Sequence, residues 1–186
     1  MSDDVGYGRV AALVPAAGKG ERLGPGAPKA IRAIAGTPML VYAVKALAAS
    51  PVVDVVVVAA PSDYREDVGS LLQPQEFSAE VFVVAGGESR SESVARALIA
   101  LPDDVDVVLV HDAARPLVRP EVNTNGVAAV RDGHAAVVPV VPLVDTIRTV
   151  SGDASLGATV SRDSLRAVQT PQGFTRDLLQ RAHAEV

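Results

Sequence analysis

The chain has 186 residues, about the length of one domain. It is 48% hydrophobic but only 3% aromatic, with no Trp and no Cys. That excludes intrinsic disorder, aromatic stacking platforms for single-stranded nucleic acid, a disulfide framework and a thiolate metal site. A net charge of -5 is the wrong sign for a duplex-binding surface. The longest apolar run, Ala135–Val144, is interrupted by Pro139 and Pro142 and falls well short of the ~18 residues of a membrane helix. The opening Met1-Ser2-Asp3-Asp4 is acidic where a secretory signal would be basic. The expectation is a soluble, cytoplasmic protein with no nucleic-acid or membrane partner.

In chain order, Val10–Pro15, Val52–Ala60, Glu80–Val84, Val105–Val110 and Ala135–Val141 are near-continuous runs of β-branched and small apolar residues. Such runs predict strands buried on both faces of a mostly parallel sheet. Helices are expected between them. Thr37 N-caps one with Pro38 in its first turn, running to about Ala49, and Ser62 opens another. Ser89-Arg90-Ser91-Glu92 fits a capping box ahead of Val94–Leu101, and Thr175 caps a last helix to the end of the chain. Residues 119–133 also read as a helix, although Asn123-Thr124-Asn125-Gly126 weakens its middle. Apolar and polar residues alternate over 144–170 around Ser151-Gly152-Asp153, which predicts a β-hairpin. An isolated two-stranded ribbon is marginal in water, so the hairpin needs a cover, and a second subunit is the simplest one. The expected fold is α/β, with a mostly parallel, Rossmann-like sheet flanked by helices and a projecting arm at 144–170, all in one domain spanning 1–186.

Ligands of open α/β sheets bind beyond the carboxyl ends of the strands, which singles out four loops. The first runs from Pro15 to Lys29 and contains Gly18, Gly20, Gly24 and Gly26, with Lys19, Arg22 and Lys29 as flanking cations. Two of the chain's three lysines lie there. This concentration points to phosphate rather than to a solvated turn. It is not a Walker loop, and Leu23 stands where a dinucleotide fingerprint needs its third small residue. The second loop, Gly86–Ser91, either presents amides at a helix N-terminus or is a plain tight turn. In the third, His111–Pro116, Asp112 is either a Mg²⁺ carboxylate or the cap of the next turn, while His111 reads as a structural strand-end residue. The fourth comprises Asp145-Thr146, Ser161-Arg162 and Gln169–Gln172, which composition alone leaves as solvated polar positions.

Taken together, Pro15-Ala16-Ala17-Gly18-x-Gly20-x-Arg22-Leu23 with Pro28-Lys29, Gly86-Gly87-x-x-Arg90-x-x-Ser93-Val94, His111-Asp112-Ala113-Ala114-Arg115-Pro116, Asp145-Thr146 and Thr170-Pro171-Gln172 closely resemble the 2-C-methyl-D-erythritol 4-phosphate cytidylyltransferases. The resemblance runs from about Val10 to the end of the chain, and it implies a nucleotidyltransferase fold. The implied activity is CMP transfer from CTP to methylerythritol phosphate in isoprenoid precursor biosynthesis, with release of pyrophosphate and dependence on Mg²⁺. By the resemblance, Ala16, Ala17, Gly18, Lys19, Gly20, Gly87, Glu88 and Ser93 surround the nucleotide. Arg22 and Lys29 are the catalytic cations. Asp112 is a metal ligand and substrate contact, and Ala113, Arg115, Thr146, Arg162 and Thr170 bind the acceptor. Thr146 and Arg162 reach into the partner's site, which makes the hairpin the arm of a homodimer. The resemblance further implies a Thr-Asp segment with a second metal carboxylate and a final strand whose lysine binds the acceptor phosphate. Val186 comes before either, so the sequence is expected to lack a C-terminal segment. The alternatives are a ribitol-5-phosphate cytidylyltransferase, which shares much of the motif set, and a non-catalytic nucleotide-binding homolog.

Overall fold

The computed structural model describes residues 7–18 and 28–185. The expected Val-rich runs form the frame: β1 (Arg9–Pro15), two short strands β2 (Ala33–Ile34) and β3 (Thr37–Pro38), helix α1 (Met39–Ala48), β4 (Val55–Ala60), α2 (Arg65–Leu72), β5 (Glu80–Ala85), α3 (Arg90–Ile99), β6 (Val105–Val110) and α4 (Pro120–Arg131). The chain continues through β7 (Ala136–Val137), β8 (Val140–Pro142), β9 (Ile147–Val150), β10 (Leu156–Val160), β11 (Arg166–Val168), β12 (Gln172–Thr175) and α5 (Arg176–Ala184).

The main sheet has the order β5-β4-β1-β6-β12-β7. Its first four strands are parallel, and β12 lies antiparallel to both β6 and β7. Alternation along β1 explains the layering. Val10, Ala12 and Val14 face one apolar cluster with Leu40, Val44 and Leu47 of α1, Val68 of α2 and Val127 of α4. Ala11 and Leu13 face the other, with Val94, Ala97 and Leu98 of α3 and Leu179 of α5. In α1, Leu40, Val44 and Leu47 recur at helical spacing and are all buried, so one stripe of that helix supplies its packing.

Several local expectations need correction. Thr37 does not cap α1: it pairs with Ile34 in the β2–β3 hairpin, and Pro38 occupies the cap position without a side-chain bond. The Ala35-Gly36 turn explains why, since both residues have positive φ (49° and 85°) and turn the chain back before the helix starts. The Val52 run becomes a strand only at Val55. Ser62 begins a single 3-10 turn, and α2 follows at Arg65. The run Ala135–Val141 breaks at Val138-Pro139 into β7, which stays in the main sheet, and β8, which leaves it to pair with β11. A proline cannot donate to a continuing ladder. The arm therefore begins before residue 144: the β8–β11 ribbon forms its base and the β9–β10 hairpin its tip. The helix over 119–133 forms despite its polar middle, with Pro120 at its first position, where a missing N–H costs nothing.

Ser89 caps α3, accepting from the Glu92 N–H at 3.0 Å, and Thr175 caps α5, accepting from the Leu178 N–H at 3.4 Å. Glu92 reaches back one residue beyond a standard capping box, to the Glu88 N–H at 2.8 Å. That bond first, and Arg96 second, hold its carboxyl below the usual range.

Candidate functional site

Strand order reverses at β1, with β4 on one side and β6 on the other. The crevice at such a switch point, beyond the carboxyl ends of the strands, is where α/β sheets bind ligands. The loops that follow β1 and β6 both open there.

From β1 the chain passes through Ala16, whose N–H bonds the Ala59 carbonyl at 2.8 Å, to half-buried Ala17 and exposed Gly18. Lys19, Gly20 and Arg22 lie outside the described residues. Ala17 packs against the β5–α3 loop so closely that a Cβ on Gly86 would sit 2.6 Å from the Ala17 Cβ. Glycine is required at Gly86 for the two loops to meet.

That second loop is tied down by α3. Arg96 donates to the Gly86 carbonyl at 2.7 Å, Ser93 Oγ accepts from the Gly87 N–H at 3.0 Å, and Glu92 accepts from the Glu88 N–H. Ser93 is only 1% exposed and also donates to the Ser89 carbonyl at 2.9 Å. The amides of Gly87 and Glu88 thus have internal partners. What the loop turns outward are the exposed residues Glu88, Ser89 and Arg90.

The third loop carries most of the charge. Asp112 is half-buried; its Oδ1 lies 3.0 Å from the Arg90 guanidinium and its Oδ2 3.7 Å from Arg115. Arg115 also donates to the Gln169 side-chain oxygen and to the Val168 carbonyl at 3.4 Å. Ala113 is buried in the core. Thr170, just before a cis peptide bond to Pro171, accepts from the Asp112 N–H at 3.2 Å. The loops after β5 and β6 and the end of β11 therefore converge on one cluster: Arg90, Asp112, Arg115, Gln169 and Thr170. His111 is fully buried beneath it. Burial holds its imidazole below the ordinary histidine range, against the opposing pull of the Arg115 carbonyl and the Asp112 charge.

Lys29 sits half-buried in a 3-10 turn (Lys29–Ile31) that packs on α1. Among the described residues it has no ion pair. Thr146 and Arg162 are both exposed on the arm. Arg162 donates to the Val144 carbonyl, which draws the two strand ends of the hairpin together. No bond among the described residues links either to the Asp112 cluster.

Arg90 and Gln169 were not assigned roles from sequence, yet both contact the cluster. Arg90 did leave a signal. A cation in the first turn of a helix opposes the dipole, so Arg90 at the start of α3 calls for a nearby anion, which Asp112 supplies. Gln169 left none beyond its place next to Thr170.

Among the described residues no three acidic or histidine side chains gather to hold a metal. Asp112 stands as a lone carboxylate, and its Oδ2 lies beyond hydrogen-bond distance of Arg115. Such a donor suits Mg²⁺, which takes one or two carboxylates and completes its shell with phosphate oxygens and water. It does not suit a cation held by protein alone.

A doubly wound sheet with cationic and small-residue loops at its switch point defines a ligand-binding α/β protein of the Rossmann-like class. The family model for IspD, 2-C-methyl-D-erythritol 4-phosphate cytidylyltransferase, matches residues 10–186, and the chain belongs to that family. It is 57% identical over 176 residues to the 2-C-methyl-D-erythritol 4-phosphate cytidylyltransferase of Frankia casuarinae, covering 95% of this chain and 64% of that protein. It is 54% identical over 198 residues to the Streptomyces avermitilis protein of the same name, covering 100% of this chain and 79% of the relative. The crystal structure of the Thermus thermophilus cytidylyltransferase superposes with a TM-score of 0.75 at 36% identity, over 95% of this chain and 75% of that one. The 4-diphosphocytidyl-2C-methyl-D-erythritol synthase of Anaerococcus prevotii shares the fold, with a TM-score of 0.80 at 22% identity, over 96% of this chain and 74% of that one.

Proposed function

We propose that this chain transfers CMP from CTP to 2-C-methyl-D-erythritol 4-phosphate, in the making of isoprenoid precursors. The observation that carries the reading is the meeting, at the switch point of a chain of this family, of the β5–α3 loop, which packs on Ala17 and reaches Asp112 through Arg90, with the Asp112–Arg115 turn and Thr170. The nucleophile is a phosphate oxygen of the acceptor. Its second pKa is about 6, so it is mostly ionised near neutral pH and needs no general base. This fits a site beneath which His111 is buried and hydrogen-bonded on both nitrogens. The oxygen attacks the α-phosphorus, the bond to the β-phosphate breaks, and pyrophosphate leaves.

The protein's task is then to bring two anions together and to stabilise the charge on the reacting phosphorus. Lys29 and Arg22 are the cations for that role. Arg115, fixed by Gln169 and Val168, and Thr170 face the acceptor. Bound Mg²⁺ would neutralise triphosphate charge, with Asp112 as the protein's ligand to it.

The arm supports a homodimer. Val140, Val141, Val144, Val150, Leu156 and Val168 expose between 46% and 80% of their surface on it, and large apolar side chains gathered on one projecting element favour an association surface. In the dimer, Thr146 and Arg162 serve the partner's acceptor site. No helix among the described residues is long and apolar enough to cross a membrane. Incubation with CTP, Mg²⁺ and either methylerythritol phosphate or ribitol 5-phosphate tests the reading. Pyrophosphate release with the first acceptor supports it; preference for the second, or release with neither, overturns it.

A further inference from the structure

The turn that carries Asp112 and Arg115 closes on its own backbone bond, from the Arg115 N–H to the Asp112 carbonyl at 2.9 Å, and His111 ties it down at both ends. The backbone N–H of His111 bonds the Leu13 carbonyl at 2.9 Å, which anchors the residue to the end of β1. Its Nε2 lies 2.9 Å from the Arg115 carbonyl oxygen. A carbonyl can only accept, so Nε2 carries a proton, and in the neutral imidazole Nδ1 is then an acceptor. Thr170 Oγ1 lies 3.0 Å from Nδ1 and donates to it. The same Oγ1 accepts from the Asp112 N–H at 3.2 Å. One imidazole therefore fixes both ends of the turn, directly at Arg115 and through Thr170 at Asp112. No atom of that ring is left for a substrate.

We propose that His111 is a positioning residue for CMP transfer: its two ring nitrogens set the Asp112–Arg115 turn so that both charged side chains aim over the carboxyl end of β1. This rests on the activity proposed above. The competing role is plain core filling, since His111 is among the larger fully buried side chains. The two differ in what they require. Filling needs volume, whereas positioning needs one donor and one acceptor in fixed directions. A misplacement of about 1 Å at a site of this kind can cost 10²-fold in rate.

Three substitutions separate the roles. His111→Leu keeps the volume and removes both bonds. His111→Gln keeps a donor near the Nε2 position, and His111→Asn keeps an acceptor near the Nδ1 position. For each, kcat and the KM for CTP are measured with methylerythritol phosphate as acceptor, together with the melting temperature and hydrogen exchange of the Asp112 amide by NMR. We expect kcat of the Leu variant to fall about 10–100-fold with the KM for CTP within about twofold. Exchange at Asp112 should rise about tenfold or more. The Gln and Asn variants should recover part of kcat without a matching order in melting temperature.

Should the Leu variant not fold, Thr170→Val cuts the same chain of bonds from its other end and should speed Asp112 exchange alike, with no further rise when combined with His111→Asn. A folded Leu variant turning over within twofold of wild type, or Asp112 exchange unchanged in every variant, overturns the proposal. A wild-type protein that transfers no CMP contradicts the activity instead, and the exchange measurement still decides whether His111 holds the turn.

Discussion

Arg90 and Asp112 meet across the carboxyl ends of β4 and β1. The guanidinium at the start of α3 lies 3.0 Å from the carboxylate that follows β6, joining loops from strands that are not neighbours in the sheet. Both side chains are substantially exposed, so water screens the pair and its worth to folding is small. A double-mutant cycle of Arg90→Ala and Asp112→Asn, followed by urea unfolding, should give a coupling energy below about 1 kcal/mol. A larger value would mean that the pair is structural rather than poised over the site.

The approach of Ala17 to Gly86 is steric and can be reversed by design. Gly86→Ala places a methyl group 2.6 Å from the Ala17 Cβ and should push the phosphate loop outward, at a cost of about 1–3 kcal/mol in stability and with a raised KM for CTP. Adding Ala17→Gly should recover part of both, since the added methyl still meets the Ala60 carbonyl and the Ser93 hydroxyl at 3.1 Å. Steady-state kinetics and thermal melts of the single and double variants check this, and a double variant no better than the single one would contradict it.

Asn123 is fully buried in α4, and neither its side-chain nitrogen nor its oxygen has a hydrogen-bond partner among the described residues. An unsatisfied buried amide carries a desolvation penalty. Asn123→Val, nearer to Asn in volume than Leu is, should therefore stabilise the fold by about 1 kcal/mol, visible as a higher urea midpoint with an unchanged m-value.

At the tip of the arm, Asp153 has its carboxyl lowered to about 2 by the Ser151 hydroxyl first and then by Ser155. A depressed carboxyl favours the folded turn above its unfolded value, and that contribution fades as pH falls toward about 2. NMR titration of Asp153 should give a midpoint near the lowered value. Ser151→Ala should move it up toward 3.8, the ordinary value; no movement would remove the serine from the account.

Val150 and Leu156 face each other across the β9–β10 hairpin, and both are about two-thirds exposed. If a second subunit covers them, Val150→Asp with Leu156→Asp should shift the protein toward monomer in sedimentation at micromolar concentration. The hairpin's own pairing is held by backbone bonds. An unchanged dimer would place the interface elsewhere.

What could be read from sequence followed from periodicity and from loop chemistry. Val55–Ala60 and Val105–Val110 are β-branched runs long enough to be strands in any α/β context, and the Ser89 and Thr175 caps depend only on residues three positions away. The Thr37 cap failed because Ala35-Gly36, not Thr37, dictates the local path. The break at Pro139 was visible as a proline, but that the chain leaves the main sheet there depends on β11 arriving to pair with β8, a contact distant in sequence. The charged cluster followed the same rule. Asp112 stood out by its place after a strand, whereas the Arg115–Gln169 and His111–Thr170 contacts join residues more than fifty positions apart, which no local pattern encodes.

The most direct test of the central claim is the rate of pyrophosphate release from CTP and methylerythritol phosphate by Lys29→Ala. Loss of one cation that stabilises phosphoryl charge costs on the order of 10²–10⁵ in rate. The account predicts a fall of that size with an unchanged circular dichroism spectrum. Release within twofold of wild type would contradict it.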